Sequence, residues 1–422
     1  MLVEFSVKNF KSIKEEIKFS LVADNGKELY KENVMEASAS EGGKRIPLIK
    51  SAALYGPNAG GKTNIIKALA AMRQIVMTSA QEFRKLPIVP FKLSKSTLNL
   101  PTEFEVIIIF EGVRYQYGFS ATLEKVYDEW LFAFPKGRVQ TWFERTWNDK
   151  SGKYDYYFGD KLTGDKDVWR RATRDNALFL STAIQLNSEK LKPVFDWFSN
   201  KLHIAGVNTH NSWGYDFTLG LCKKDRSKEE ILNFLKAADF SITDVKVQEE
   251  DMVKSFSTAV PEHVRAFLEQ ELPNTHSRIL TFHPSDKGDM VELDYKDESH
   301  GTQKMFRFSG PWLDSLQKGH VLVVDELNNN LHPVLVQFLV QLFHNEKMNQ
   351  NHAQLVFSTH ETSILNQDIF RRDQIWFCEQ RDKQGTSLYP LTDFSPRKGV
   401  DNLERAYLSG RYGALPFVHE LK

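Results

Sequence analysis

Two stretches of this sequence carry chemistry in their residue types and spacing. The first, Gly56-Pro57-Asn58-Ala59-Gly60-Gly61-Lys62-Thr63, fits G-x-x-x-x-G-K-[ST]. An apolar run from Ile49 to Tyr55 precedes it, and an Ala/Ile/Leu-rich stretch from Asn64 to Met77 follows with helical spacing, so strand, loop and helix come in the order a phosphate site needs. Gly56, Gly60 and Gly61 let a backbone turn tightly and aim its N–H groups inward, where they and a helix N-terminus stabilise phosphate oxygens. Lys62 adds a point charge near the β- and γ-phosphates, Thr63 a hydroxyl for Mg²⁺, and Asn58 and Asn64 lie within and beside the loop. The second stretch, His320 to Glu326, is a run of apolar β-formers ending in Asp325 and Glu326. At the C-terminal end of a parallel strand, Asp325 can hold Mg²⁺ and Glu326 can orient or deprotonate an attacking water. The expected ligands are therefore a nucleoside triphosphate and Mg²⁺, with Lys62 and Glu326 catalytic and Thr63 and Asp325 on the metal.

The elements that must position these groups are partly legible. Leu2 to Val7 and Ile17 to Val22 alternate apolar and polar residues and predict strands, with a loop from Asp24 to Arg45. FEVIIIF and VRYQYGF, separated by Glu111-Gly112, predict a hairpin in a second layer of sheet. Residues 125–280 mix aromatic strands with helices and hold no nucleotide motif, which suggests an inserted α+β lobe between residues 1–124 and 281–422. Strands at Ser277 to Phe282, Met290 to Tyr295, His320 to Val324 and Gln354 to Ser358, the last two separated by a helix from Pro333 to Phe343, predict a parallel α/β pattern.

With these motifs the chain resembles the ABC-type ATPase head shared by the RecF, SMC and OLD groups, whose Walker A and Walker B elements the two stretches match. The resemblance implies an α/β P-loop fold of ABC type, a mixed sheet core with an antiparallel β layer. Glu298-Ser299-His300-Gly301-Thr302-Gln303-Lys304 looks like the signature loop, which in those families contacts the nucleotide of the opposite subunit; Ser299, Gly301 and Thr302 are then phosphate-binding. Leu327 to Pro333 looks like the D-loop, Ser358-Thr359-His360 like the switch histidine, which makes His360 a catalytic residue beside Lys62 and Glu326, and Asn9-Phe10-Lys11-Ser12-Ile13 like an opening motif that puts Lys11 and Ser12 near the adenine. His300 stands where the signature usually has glycine, and Asn328 where the D-loop commonly has aspartate. Gln116 is a candidate for the Mg²⁺-sensing glutamine. Over almost the whole chain the likeness extends to bacterial anti-phage ATPases of the AbiL type, often encoded beside an RloB or TOPRIM-like nuclease and related to the PARIS and Septu ATPases. Its residues are Val7 to Ser12, Arg114 to Phe119, Asn176 to Ser181, the ESHGTQK run and Arg372 to Phe377. It implies a homodimer or higher homo-oligomer with composite ATP sites, acting on a separately encoded effector nuclease.

Composition narrows the alternatives. The 422 residues, 41% hydrophobic and 12% aromatic, suffice for two lobes with their own cores. The 55 basic residues balance the 55 acidic ones, so any nucleic-acid contact must be local. Cys222 and Cys378 are too few for a disulfide framework or a zinc site, no apolar stretch approaches the ~20 residues that cross a bilayer, and a soluble cytoplasmic protein is expected. The aromatic series Trp142, Trp147, Tyr154, Tyr156, Tyr157 and Phe158 is either a stacking platform for single strands or sheet packing. Arg170-Arg171-Ala172-Thr173-Arg174 and Arg371-Arg372 are either solvated basic faces or contacts to nucleic acid or a partner, the first being the commoner use of such patches, and His203, His210 and His283 lack metal-ligand spacing. An ATP-bound sensor with little turnover and a RecF-like DNA-repair ATPase are the rival readings.

Overall fold

Strands whose neighbours cover both faces are largely apolar, and among the described residues three are buried throughout: β5 (Ser51–Tyr55), β15 (Val321–Val324) and β16 (Gln354–Ser358). The computed structural model describes residues 1–39, 45–81, 85–206, 212–251, 275–381, 385–397 and 401–416. In chain order, β1 (Leu2–Lys8), β2 (Ile17–Ser20), α1 (Tyr30–Asn33), β3 (Val34–Ser38) and β4 (Arg45–Ile49) precede β5, which leads into α2 (Lys62–Thr78). Then come β6 (Thr102–Phe110), β7 (Val113–Ala121), β8 (Val126–Phe134), β9 (Gln140–Asn148), β10 (Lys153–Phe158), α3 (Lys166–Ala172), α4 (Phe179–Gln185), α5 (Lys192–Asp196) and β11 (Leu202–Ala205). There follow α6 (Ser212–Cys222), α7 (Asp225–Ala237), β12 (Asp244–Asp251), β13 (Thr275–Pro284), β14 (Met290–Asp294), α8 (His300–Lys318), β15, α9 (Pro333–His344), β16, β17 (Ile375–Arg381), β18 (Gly385–Pro390) and α10 (Leu403–Leu408).

The chain divides into two compact units, Met1–Thr209 with Ser315–Asn329 and Val336–Lys422, and His210–Asp314 with Asn330–Leu335. The first holds a six-stranded sheet, order β11-β15-β16-β5-β17-β18, parallel except for the β17–β18 hairpin, and a seven-stranded antiparallel sheet, order β10-β9-β8-β7-β6-β1-β2. This is the α/β P-loop architecture of ABC type expected from the sequence, a mixed sheet with an antiparallel layer. The apolar face of α2, with Ile65, Ile66, Leu69, Met72, Ile75 and Val76 buried, joins the same core as β1, β6 and β7. Glu111 and Gly112 turn β6 into β7 with φ of 50° and 73°, as a two-residue hairpin requires. The second unit holds the sheet β12-β13-β14, antiparallel throughout, with α6 and α7.

Several expectations need correction. The divisions 1–124, 125–280 and 281–422 do not coincide with these units: β8, β9 and β10 continue the antiparallel ladder by successive pairing from β7, and residues up to 209 belong to the first unit. Composition could not reveal this, because ladder membership is set by partners and not by residue type. The segments near 277–282 and 290–295 pair antiparallel with each other, outside the parallel sheet. The stretch from Asp24 to Arg45 contains α1 and β3, and Ile49 closes β4, so the apolar run to Tyr55 is divided between two sheets. Arg371 is no solvated face: it is buried, paired with Asp373 at 2.6 Å, and donates to the carbonyls of Asp24, Gly26 and Glu28; Arg372 pairs with Glu28 at 2.9 Å. Arg174 donates to Ser79 O, and Arg170 pairs with Asp167. The aromatic series is largely sheet packing: Tyr156 and Phe158 lie on Phe179, Tyr154 donates to Val126 O, and only Tyr157 is exposed.

Candidate functional site

The phosphate loop is shaped by β17. Gly56 has φ of +154°, and a Cβ there would stand 2.0 Å from Cys378 O. Gly61, the N-cap of α2, has φ of +107°, and a Cβ there would stand 2.1 Å from Thr386 Oγ1 on β18. Glycine is therefore demanded twice, by dihedral and by space. Cys378 Sγ donates to Gly60 O at 3.1 Å, and burial pushes its thiol up to about 12, so it acts as a neutral donor. Asn58 is exposed at the loop's tip. Lys62 Nζ donates to Gly56 O at 2.8 Å and Pro57 O at 3.1 Å. Burial lowers the ammonium's pKa, against the pull of Cys378, Asp325 and Glu326.

Because β16 lies between β15 and β5, its last residue stands between the carboxylates and the loop. Ser358 Oγ donates to Asp325 Oδ1 at 2.6 Å and accepts from Glu326 N at 2.8 Å, while Thr63 Oγ1 donates to the same Asp325 oxygen at 3.2 Å. Glu326 has φ of +52°, a strained setting for a residue with a Cβ, and its side chain is exposed. Asn328 Oδ1 accepts from Thr359 Oγ1 at 3.0 Å and His360 N at 3.2 Å, so the residue found in place of the D-loop aspartate fixes the backbone that carries His360. Desolvation and then the Lys62 charge lower the His360 pKa, with Glu326 and Asp325 opposing. The fold thus gathers Lys62, Thr63, Asp325, Glu326 and His360. A hydroxyl and a carboxylate are hard oxygen donors, so Thr63 and Asp325 fit Mg²⁺.

Ser12 Oγ accepts from Asn64 Nδ2 at 2.7 Å, which brings the β1–β2 turn onto the first turn of α2. Lys11, with φ of +50°, donates its backbone N–H to Val89 O at 2.7 Å and lines a cavity of about 540 Å³ with Phe10, Lys67, Gln74 and Ile88. Desolvation, Lys67 and Lys92 lower the Lys11 pKa. Gln116 is not drawn in: its amide donates to Glu105 at 2.9 Å within the antiparallel sheet.

Ser299, Gly301 and Thr302 lie in the second unit. Ser299 Oγ accepts from Thr302 N at 3.1 Å and bonds Thr302 Oγ1 at 2.8 Å, an N-cap for α8. Glu298 Oε1 accepts from Thr281 Oγ1 and meets His283 Nε2, each at 2.6 Å, and Gln303 Nε2 donates to Glu298 O at 2.9 Å, so the loop is tied to β13 from the residue before it. Gly301 is close to Asn330: a Cβ would stand 3.2 Å from its carbonyl oxygen. His210 lies outside the described residues.

Residue reasoning missed Ser358, Cys378 and Thr386 as site members. Ser358 had a signal, a hydroxyl ending a buried parallel strand beside the histidine, whereas Cys378 and Thr386 act through strand neighbours remote in sequence.

A protein family described as "AAA domain, putative AbiEii toxin, Type IV TA system" matches residues 51–366. No curated protein matches the chain. Among solved structures, the SMC head domain from Thermotoga maritima is 13% identical, with 92% of this chain and 98% of that chain covered and a TM-score of 0.39. The SmcHead bound to the C-winged helix domain of ScpA has the same identity and TM-score, with 92% and 97% covered. In the described residues no helix is long and apolar enough to cross a membrane.

Proposed function

We propose a function from one premise: this chain belongs to the AAA-domain family described as putative AbiEii toxin of a type IV TA system. It binds ATP at residues 56–64, hydrolyses it, and pairs with a second copy so that each nucleotide is closed in by the partner's signature loop. The observation that carries this reading is the bonded set Thr63, Asp325, Ser358 and Glu326 beside Lys62.

Lys62 and the first N–H groups of α2 hold the phosphates, and the helix dipole adds to the attraction. Lys62 already bridges two loop carbonyls, so its ammonium is in place and exchanges weak partners for charged ones when phosphate arrives. Mg²⁺ held by Thr63 and Asp325 would offset phosphate charge in the transition state. Glu326, pinned through its backbone N–H to Ser358, presents an exposed carboxylate able to orient the attacking water and accept its proton. His360, biased toward the neutral form, offers a hydrogen bond to the γ-phosphate without adding charge. The Lys11 cavity suits the base and ribose, because apolar walls and two lysines lie beside the helix that follows the loop.

Pairing follows from Ser299, Gly301 and Thr302, which form a helix start with donors for a phosphate, and is favoured by any nucleotide that prefers the paired state. Coupled to a separately encoded nuclease in the cytoplasm, such a pair is a switch for an anti-phage response. ATP turnover by wild type, Lys62→Ala and Glu326→Gln, with mass in solution recorded with and without ATP, tests this. The switch requires that both variants lose turnover and that Glu326→Gln accumulates an ATP-bound pair. Equal turnover in all three sinks the catalytic roles, and ATP binding without turnover favours the sensor reading. Stimulation by DNA with steep salt dependence would point instead to a repair ATPase.

A further inference from the structure

The family match covers residues 51–366, yet the phosphate loop is also touched from residues on either side of that span. Ser12, Asn64 and Thr386 form one hydrogen-bonded chain: Asn64 Nδ2 donates to Ser12 Oγ, and Ser12 Oγ lies 2.7 Å from Thr386 Oγ1. The backbones are locked as well, since Thr386 N donates to Ser12 O at 2.7 Å. Thr386 is buried, and its side chain fills the space that a Cβ on Gly61 would need.

Counting hydrogens shows what this chain leaves over. Ser12 Oγ already accepts from Asn64, and only one of the two hydroxyl hydrogens can lie between Ser12 and Thr386. Whichever group donates, the other keeps its hydrogen, and neither hydroxyl has a further acceptor among the described residues. The spare donor stands beside Gly61 and the first turn of α2, where a phosphate or ribose oxygen would arrive.

We propose that Thr386 is a positioning residue of the nucleotide site: it braces Gly61 from behind, holds Ser12 and Asn64 in one orientation, and leaves one hydroxyl hydrogen for an oxygen of the nucleotide. This rests on residues 56–64 being the ATP site. Its effect is on binding in both the ground and the transition state, so it acts on KM more than on kcat.

The test uses the full chain with Mg-ATP as ligand and measures Kd, KM, kcat and the nucleotide-free melting temperature. Thr386→Val keeps the shape and removes the hydroxyl; it is expected to weaken ATP binding about tenfold and raise KM with little change in kcat. Thr386→Ser restores the hydroxyl and is expected to bind within about twofold of wild type. If Thr386→Val does not fold, Ser12→Ala breaks the same bond from the other side and should show the same KM effect. Lys62→Ala separates the two levels of the argument. Wild-type binding by Lys62→Ala overturns the site assignment itself, whereas loss in Lys62→Ala with wild-type binding in Thr386→Val overturns the role of Thr386 alone.

Discussion

The phosphate loop and the signature loop are both helix starts rich in small residues, yet they are held in opposite ways. Around Lys62, besides the bonds of its own ammonium to Gly56 O and Pro57 O, the loop is shaped by groups remote in sequence: Cys378 from β17, Thr386 from β18, Ser12 from the β1–β2 turn, and Asp325 just beyond β15, itself held by Ser358 at the end of β16. Around Ser299, the hydrogen bonds are mostly within a few residues, a cap to Thr302 and a fold-back by Gln303, while Glu298 reaches β13 and Gly301 lies close to Asn330. One site is pre-organised by a buried sheet; the other is a local cap tied to β13 through Glu298. That contrast is what the proposed function requires, in which the first holds the nucleotide and the second engages it only when copies pair.

The largest way to break the comparison is Glu326→Gln, expected to cut turnover about 10²–10⁴-fold while ATP binding persists. A variant that still turns over rapidly would show that the Glu326 carboxylate is not the base. Ser358→Ala should come next. It strips a partner from both Asp325 and Glu326 N, and a loss of about tenfold in kcat with about 1–3 kcal/mol of stability is expected, read from kinetics and urea unfolding. Unchanged kinetics would mean that the sheet does not organise the carboxylates through this hydroxyl. His283→Ala should be smaller, weakening ATP-driven pairing by about threefold to tenfold and leaving ATP affinity of the unpaired chain intact. His283→Gln can restore a donor to Glu298 and should recover much of the loss; equal loss in both would point to packing rather than tethering.

A pH measurement sharpens the buried side of the contrast. His344 on α9 bonds Ser51 Oγ at 2.8 Å beneath β5, and burial, then Lys50, lowers its pKa from 6.5 to about 3. Folded protein keeps it neutral where unfolded chain takes a proton. Its stabilising contribution is therefore intact above 6.5 and falls as pH drops from 6.5 toward about 3, by up to about 1.4 kcal/mol per pH unit. Urea midpoints of wild type and His344→Gln at pH 7, 5.5 and 4 should converge toward acid; parallel lines would remove His344 from the account.

Much of this was legible. Uninterrupted apolar runs marked β15 and β16, the Glu111-Gly112 turn marked its hairpin, and the glycine pattern marked the loop, because each of these depends on adjacent residues. The misreadings share one cause. Arg371 looks like a surface charge until Asp373 and three carbonyls are found around it, and β8 to β10 look like a separate lobe until their ladder partners are known. Gln116 looked available until Glu105 was seen to hold it.

By itself, the sequence determined that this chain has a phosphate loop between strand and helix and a pair of carboxylates after a buried strand, since backbone geometry and charge at those points follow from local residue types. The tertiary structure decided that Ser358 links the Asp325 carboxylate to the Glu326 backbone, that Thr386 and Cys378 brace the loop, and that Asn328 secures His360, because these hydrogen bonds join residues whose spacing along the chain carries no signal of their meeting.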